Sequence, residues 1–294
     1  MPYLNIDGFP HYYEWITADP TKHPSGQKPV MVFVHGWGGS GRYWHSTAQA
    51  LCDQYDCLIY DLRGFGRSSS PVDHLPQSQD ESYQMEAYAE ELNQILDQLH
   101  LPQVTINAHS MGGSIATLFA SHYPHRLNQL ILTCMGVFEY DPITFPLFHR
   151  IGTWVTSIRP QWLSQLPGLD RLFMARFIHL PIDQADRKAF LEDYLQAASS
   201  AVAGTIYTSV SKQASEVMPL AFQSLQIPTL LIAGEKDMII PPPLGQRAAS
   251  LNPLVKYIEI PRTAHFPMLE DPVTYQHVLQ TFLEPDPAAV GNPS

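Results

Sequence analysis

The chain has 294 residues, and its 17 Lys and Arg stand against 28 Asp and Glu, which gives a formal net charge of −11. An acidic surface without a basic cluster argues against a nucleic-acid partner. The length allows a large hydrophobic core, and chains of this size commonly form one α/β domain with an insertion.

The first predicted element is a β-hairpin. Two apolar and aromatic runs, residues 3–6 and 12–16, flank Asp7-Gly8, which is a preferred two-residue hairpin turn. From residue 30 to residue 135, short apolar runs alternate with helical patterns, of which the clearest is at 82–99. This alternation predicts a parallel sheet that is covered on both faces by helices.

A glycine-rich loop follows the first of these apolar runs. Residues 30–40 read VMVFVHGWGGS. A phosphate-binding loop is the first alternative, but no Gly-Lys-Ser/Thr follows and the full Gly-x-Gly-x-x-Gly spacing is missing. The next strand, at 56–60, ends in Asp61 and leads into a turn-rich loop that contains Arg63. We expect Asp61 and Arg63 to brace neighbouring loops by charge-assisted hydrogen bonds.

Residues 104–120 place one serine between a strand and a helix. The segment begins with a β-branched run at 104–106 and ends, at 114–120, with the small and apolar spacing of a helix on a sheet. Around Ser110, the small residues Ala108 and Gly112 let the strand and the helix approach closely. The N-terminal amides of the helix favour a negative oxygen at the same point. Ser110 is therefore a candidate nucleophile, and the alternative is a serine on a tight turn without chemistry.

Residues 108–112 (AHSMG) resemble the nucleophile elbow of the α/β-hydrolase fold superfamily, with Ala108 where the family usually has Gly. The glycine-rich loop resembles the oxyanion loop of the same family. The resemblance implies a mostly parallel, doubly wound sheet of about eight strands with an inserted helical cap. It also implies that the backbone N–H groups of Trp37 and Met111 form an oxyanion hole. No metal and no organic cofactor is implied.

A stretch of helical, apolar sequence interrupts the alternation between the strands at 130–134 and 229–233. Its position matches the cap that many α/β-hydrolases insert after the sixth strand. We expect most of its aromatic residues to pack the cap on the core and the remainder to line a substrate pocket. Two further candidates lie outside the cap, one next to Ser110 and one next to a histidine discussed below. The candidate pocket residues are His109, Phe138, Trp154, Phe173, Phe177 and Phe266.

Two later strands each deliver one polar residue to the edge where sites form in open α/β sheets. The strand at 229–233 leads to Asp237, and the strand at 257–260 leads to His265. The order Ser110, Asp237, His265 matches the Ser, acid, His order of the family. Asp237 would fix the tautomer of His265, which would take the Ser110 proton and return it to the leaving group.

Other residues compete for these roles. Glu139 and Asp141 are a second choice for the acid, because some relatives of the fold carry it after the preceding strand. Glu235 is too close to Asp237 in sequence to share its geometry. We expect His35 to hydrogen-bond the backbone and to exchange no protons. His109 adjoins the serine, but we expect its position on the elbow to point its ring away from Ser110 and towards packing.

Ser110 at the elbow excludes haloalkane dehalogenases and epoxide hydrolases, which use a carboxylate nucleophile. Our interpretation is a serine hydrolase that cleaves a carboxylic ester with a hydrophobic acyl or aromatic moiety through an acyl-enzyme intermediate. C–C bond hydrolase, thioesterase, prolyl aminopeptidase and cofactor-free perhydrolase use the same constellation and stay open as alternatives. A ligand-binding receptor on a hydrolase scaffold is disfavoured, because every triad candidate is present.

The predicted organisation is a core made of two chain segments, one inserted cap and one C-terminal tail. The core comprises residues 1–136 and 223–284, the helical cap residues 137–222, and a flexible tail residues 285–294. The expected partner is a small hydrophobic ester-like substrate, and the sequence does not indicate an oligomeric state.

The three cysteines, Cys52, Cys57 and Cys134, lack metal-ligand spacing and are odd in number. Free buried thiols in a reducing compartment are the simplest interpretation. The chain start has no basic segment followed by an apolar run, and no span approaches membrane length. These features predict a cytoplasmic protein without stable membrane insertion.

Overall fold

The computed structural model describes residues 2–19, 24, 26–69, 83–141, 156 and 159–284. Within these ranges the chain forms an eight-stranded sheet with helices on both faces, which confirms the predicted fold class. The strands are β1 (Tyr3–Ile6), β2 (Phe9–Ile16), β3 (Val30–Val34), β4 (Asp56–Tyr60), β5 (Val104–His109), β6 (Leu127–Thr133), β7 (Thr229–Gly234) and β8 (Val255–Ile260).

Ten α-helices lie in the described ranges, together with four short 3₁₀ segments. The α-helices are α1 (His45–Leu51), α2 (Met85–Gln98), α3 (Met111–His122), α4 (Leu169–Met174), α5 (Gln184–Gln196), α6 (Ser199–Ser209), α7 (Lys212–Gln223), α8 (Pro242–Ser250), α9 (Pro267–Glu270) and α10 (Pro272–Leu283). The 3₁₀ segments are Gly41–Trp44, Gly66–Ser68, Pro124–Arg126 and Gln161–Gln165.

The strand order is β1-β2-β4-β3-β5-β6-β7-β8. β2 runs antiparallel to both β1 and β4, and the pairs from β4 to β8 are parallel. The predicted hairpin turn is present, with φ of 50° at Asp7 and 90° at Gly8, because a two-residue turn with positive φ matches the strand twist. The parallel strands end at one edge of the sheet, so the loops after β3, β5, β7 and β8 meet there.

Two hydrophobic cores cover the two faces of the sheet. Leu92 of α2 and Phe119 of α3 are fully buried in one core, and Trp44 and Tyr275 are fully buried in the other. β5 is buried at all six positions, as expected for a central parallel strand with both faces covered. The three cysteines are free and buried, as predicted.

Helices α4 to α7 lie between β6 and β7 in the chain, where the cap is predicted. They contact the glycine-rich loop directly. The Ser40 hydroxyl donates to Asp193 of α5 at 2.6 Å, and Arg42 pairs with the same carboxylate. The Trp37 indole N–H donates to the Val202 carbonyl of α6 at 3.0 Å. The inserted helices are therefore fixed to the loop that precedes the site.

The predicted boundaries 1–136, 137–222 and 223–284 stay a prediction, and the predicted tail 285–294 lies outside the described residues. Among the helices that the structure describes, none is both long and apolar enough to cross a membrane.

Candidate active site

Ser110 occupies a strained turn between β5 and α3. Its φ of 54° and ψ of −121° lie outside the regions that side-chain-bearing residues prefer, at a cost of roughly 1–3 kcal/mol. The Ser110 N–H donates to the Thr133 carbonyl at 2.9 Å, and the Ser110 carbonyl accepts the Gly113 N–H at 2.8 Å. These bonds hold the turn and place the half-buried serine at the C-terminal edge of the sheet.

The helix after the serine begins at Met111, earlier than the predicted spacing at 114–120. The reason is that Gly112 and Gly113 carry no side chain and so give no apolar period. A Cβ at Gly112 would lie 2.5 Å from the His35 carbonyl oxygen and 2.7 Å from that of Val34. Close contact between α3 and the end of β3 therefore requires glycine at this position.

We expect Gly112→Ala to lower the free energy of unfolding by about 1–3 kcal/mol, because backbone carbonyls cannot yield to the new methyl group without strain. Gly113→Ala is the matched control on the same helix. Its Cβ would meet Met135 Cγ at 2.8 Å, and this flexible side chain can move, so a smaller loss is expected. Chemical denaturation of both variants measures the difference, and equal midpoints for Gly112→Ala and wild type would contradict it.

The structure brings the three predicted triad residues together. His265 Nε2 lies 3.0 Å from Ser110 Oγ, and His265 Nδ1 lies 2.7 Å from Asp237 Oδ2. Asp237 Oδ1 accepts the N–H groups of Ile239 and Ile240 at 2.8 and 3.0 Å, which fixes the carboxylate. Because the Asp237 carboxylate accepts this hydrogen bond, the donor is the Nδ1–H group of the ring. Nε2 is then free to accept the serine proton.

One of the two predicted oxyanion residues follows Ser110 in the chain, and the other lies in a loop that approaches the serine. Met111 is the first residue of α3, so its N–H has no acceptor within the helix. The loop with Trp37 runs against the serine, since a Cβ on Gly36 would lie 3.1 Å from Ser110 Cβ. This close approach fits the proposed oxyanion role of both backbone N–H groups.

His109 lies behind the triad and does not line an open pocket. Its side chain is 1% exposed. Its Nδ1 accepts the Tyr43 hydroxyl at 3.0 Å, and its Nε2–H donates to the His265 carbonyl at 2.7 Å. The Tyr43 oxygen in turn accepts the N–H of Gly36. Burial, followed by the nearby His265, holds the pKa of His109 well below its usual range. The ring is packed, as expected from its position on the elbow, and its candidate role in the pocket is corrected, because this neutral ring supports the backbone of His265.

Phe266 has a similar position. It is 1% exposed, and its ring centroid lies 4.8 Å from that of His109 and 5.1 Å from that of Phe190 in α5. The prediction that Phe266 lines the pocket is therefore also corrected. The ring packs the catalytic loop against the inserted helices.

The remaining candidate pocket residues have different outcomes. Phe173 and Phe177 are half-buried with centroids 5.8 Å apart, and the Phe177 ring lies 6.2 Å from that of His265. Phe138 is half-buried in a small cavity, and Trp154 lies outside the described residues. Phe173 and Phe177 thus place an apolar surface beside the triad, and their pocket role stays a proposal.

The competing acids have other partners. Glu139 is exposed and pairs with Arg247, and Glu235 pairs with Lys236 at 2.6 Å. Both ring nitrogens of His265 are already bonded, one to Asp237 and one to Ser110. The geometry therefore favours Asp237 over these carboxylates.

His35 bonds to the backbone, as predicted. Its Nδ1–H donates to the Gly36 carbonyl at 2.8 Å, and its Nε2 accepts the Leu62 N–H at 2.9 Å. Burial lowers the pKa of His35, so its ring stays neutral and holds two loops together.

Asp61 braces neighbouring loops, as predicted, whereas Arg63 braces its loop against helix α2. Asp61 accepts the Gly41 N–H at 2.8 Å and the backbone and side-chain N–H groups of Arg67. Arg63 donates to Glu91. The Asp61 carboxylate therefore fixes the start of the segment after the glycine-rich loop.

In the part of the chain that the structure describes, one group of possible metal ligands is present, namely His109, Cys134 and His265, with ligand atoms within 4.8 Å of one another. Both histidines use their two ring nitrogens in hydrogen bonds. Burial, followed by the Asp237 charge, raises the pKa of the Cys134 thiol well above its usual range. A metal ion would need the thiolate and would break the contact between His265 and Ser110, so this donor set does not fit one.

Two residues that the sequence did not single out contribute to the site. Tyr43 bonds both the loop residue Gly36 and His109, and no sequence pattern marks it. Glu270 bonds the backbone on both sides of His265. Its position five residues after the histidine is the only signal that could have found it.

Comparison with known proteins places this geometry in context. Residues 29–272 match the family model described as alpha/beta hydrolase fold. A pimeloyl-[acyl-carrier protein] methyl ester esterase of Vibrio cholerae is 27% identical over 261 residues, which cover 84% of this chain and 91% of the relative. A 3-oxoadipate enol-lactonase 2 of Acinetobacter baylyi is 24% identical over 262 residues, or 87% of this chain and 89% of the relative. Among solved structures, a hydrolase from Pseudomonas aeruginosa has a TM-score of 0.77 at 20% identity and covers 96% of this chain and 98% of its own.

Proposed function

The chain belongs to the alpha/beta hydrolase fold family, and from that premise we propose that it is a serine hydrolase of carboxylic esters with a hydrophobic acyl or aromatic part. The observation that carries the proposal is the continuous hydrogen-bonded series from Asp237 through His265 to Ser110, at 2.7 and 3.0 Å. A weakly nucleophilic hydroxyl needs an adjacent base to attack an ester, and that base needs a group that orients it.

In the acylation step, His265 Nε2 takes the proton of the Ser110 hydroxyl as Oγ attacks the ester carbonyl carbon. The C–Oγ bond forms, and the carbonyl oxygen takes the negative charge of the tetrahedral intermediate. The backbone N–H groups of Trp37 and Met111 stabilise this charge. Collapse of the intermediate breaks the bond to the alkoxy group, which leaves with the proton from His265.

In the deacylation step, water replaces the alcohol. His265 takes one proton from the water as its oxygen attacks the acyl carbon of the Ser110 ester. Collapse of the second intermediate returns that proton to Ser110 Oγ and releases the carboxylic acid. Asp237 stabilises the imidazolium in both steps and stays ionised.

The aromatic surface beside the triad supports an apolar substrate. Phe173 and Phe177 are half-buried. The Phe173 ring also packs on the ring of Tyr194, with centroids 4.9 Å apart. Rings of this kind bind acyl chains or aromatic groups and leave orientation to the few polar groups at the reacting centre. The names of the two relatives, a methyl ester esterase and an enol-lactonase, both specify cleavage of an oxygen ester.

The test compares leaving groups on a constant acyl chain. Oxygen esters of p-nitrophenol from acetate to palmitate are measured beside thioesters with the same acyl chains and a vinylogous diketone, which is the substrate class of C–C hydrolases. We expect the highest kcat/KM for an oxygen ester, with a maximum at one chain length that reports the depth of the pocket. Turnover confined to the thioesters or the diketone would replace the ester assignment. No turnover of any substrate by folded protein would favour the receptor alternative.

A further inference from the structure

We propose that Glu270 is a positioning residue, which anchors the backbone on both sides of the catalytic His265 and couples it to the inserted helical segment. This role for the reaction rests on the proposed function, since it assigns His265 as the base. The contact geometry on which it depends is independent of the substrate.

The Glu270 carboxylate accepts four backbone N–H groups. Oε1 accepts the N–H of Ala264 at 2.8 Å and that of Phe266 at 3.2 Å, which are the two neighbours of His265. Oε2 accepts the N–H of His179 at 2.7 Å and that of Leu180 at 2.8 Å. The residue is 7% exposed. One buried side chain therefore joins the histidine loop to the segment between α4 and α5.

A short helix brings Glu270 into this position. α9 begins at Pro267 and ends at Glu270, and the Glu270 N–H donates to the Phe266 carbonyl at 2.9 Å. This single turn folds the chain back, so a carboxylate five residues after His265 in the sequence reaches the amides around it. Proline at the first helical position suits such a start, because it has no N–H to leave unpaired there.

The amide of His265 has its own anchor on the same inserted segment. The His265 N–H donates to the Phe177 carbonyl at 2.8 Å. Three consecutive amides, from Ala264 to Phe266, are therefore held by Glu270 or by residue 177. From the other side, the His265 carbonyl accepts the Nε2–H of His109. The backbone of the base is fixed by bonds, and its side chain follows.

Charge explains why a carboxylate performs this task. Hydrogen bonds from neutral N–H groups to an ionised acceptor are roughly twice as strong as neutral ones, and buried amides without acceptors are costly. A glutamine in the same place keeps one oxygen, but its amide nitrogen would point donors at donors. One pair of backbone N–H groups would then lose its hydrogen-bond acceptor. The loop would move, and His265 would shift relative to Ser110.

The test compares Glu270→Gln with Asp170→Asn. Asp170 is a buried carboxylate like Glu270, but it lies on the inserted helix α4, where it pairs with Arg187 at 3.0 Å. It therefore controls for general loss of stability in that region. For Glu270→Gln we expect kcat to fall by roughly 10–100-fold with KM within about twofold, because small misplacements of a catalytic group cost rates of this order. For Asp170→Asn we expect kcat close to wild type.

A spectroscopic measurement reports the position of His265 without any substrate. The proton shared between His265 Nδ1 and Asp237 gives a far-downfield NMR resonance, which we expect to shift or broaden in Glu270→Gln and to persist in Asp170→Asn. This arm tests the anchor even if the ester assignment fails. If Glu270→Gln does not fold, Glu270→Asp replaces it. The shorter carboxylate keeps the charge but cannot reach both pairs of amides, so an intermediate kcat and a shifted resonance are expected.

Two results would overturn the proposal. One is an unchanged resonance and kcat in Glu270→Gln. The other is an equal loss of both in Asp170→Asn, which would show that Glu270 acts only through the stability of the inserted helices.

Discussion

Ser110→Ala is expected to lower kcat for p-nitrophenyl esters by about 10⁴–10⁶-fold, the range known for removal of a serine nucleophile that works with a base. The hydroxyl 3.0 Å from His265 Nε2 supplies the atom that attacks the carbonyl, and no acyl-enzyme forms without it. KM should change little, because the aromatic surface and the backbone N–H groups stay in place. Steady-state kinetics on the ester with the best chain length measure both constants.

Ser121→Ala is the matched control for this variant. Ser121 lies on the same helix α3, and its hydroxyl bonds to Ser224 at 2.7 Å, away from the triad. Its kcat should equal that of wild type. If the Ser110→Ala variant keeps more than about 1% of wild-type kcat, the assignment of Ser110 as the nucleophile is contradicted, because the expected loss is far larger.

Asp237→Asn is expected to lower kcat by about 10⁴-fold with the fold intact. The reason lies in the two oxygens of the carboxylate. Oδ1 accepts the N–H groups of Ile239 and Ile240, while Oδ2 accepts the proton of His265 Nδ1. The asparagine oxygen would keep the backbone bonds, and its NH₂ group would face His265. The ring would then carry its proton on Nε2 and could not accept the proton of Ser110.

Glu139→Gln is the control for the alternative acid. Glu139 is exposed and pairs with Arg247, so its neutral variant should keep wild-type kcat. A larger loss for Glu139→Gln than for Asp237→Asn, measured on the same ester, would transfer the acid role to Glu139.

The mostly parallel sheet could be predicted because its strands carry local signals. The Asp7-Gly8 pair specifies a hairpin turn, and β5 is a continuous buried run next to an amphipathic pattern. The candidate nucleophile, acid and base were also predictable. Each ends a strand or lies in the loop after one, and parallel strands deliver such positions to one edge.

The environment behind the triad was not predictable from the sequence. His109 and Phe266 adjoin the serine and the histidine in the chain, but their rings point into packing that depends on Tyr43 and Phe190. These partners are far apart in sequence, and only the folded chain brings them together. The positions of aromatic residues in a sequence do not show whether a given ring lines a cavity or fills a core.

Backbone contacts are a second source of unpredicted structure. The acceptors of the amides around His265 are a carboxylate on the next helix and the carbonyl of residue 177. Any acidic side chain near a helix end usually reads as a cap or as a solvated residue. The role of Glu270 becomes visible only when the inserted segment and the histidine loop are seen on opposite sides of one carboxylate.

The most direct test of the central claim is labelling with a fluorophosphonate, followed by proteolysis and mass mapping. An activated serine attacks the phosphorus and displaces fluoride, whereas an ordinary hydroxyl does not react. We expect one label per chain on Ser110, with loss of esterase activity in proportion to labelling and no label in Ser110→Ala. Labelling of another residue, or none in folded protein, would contradict it.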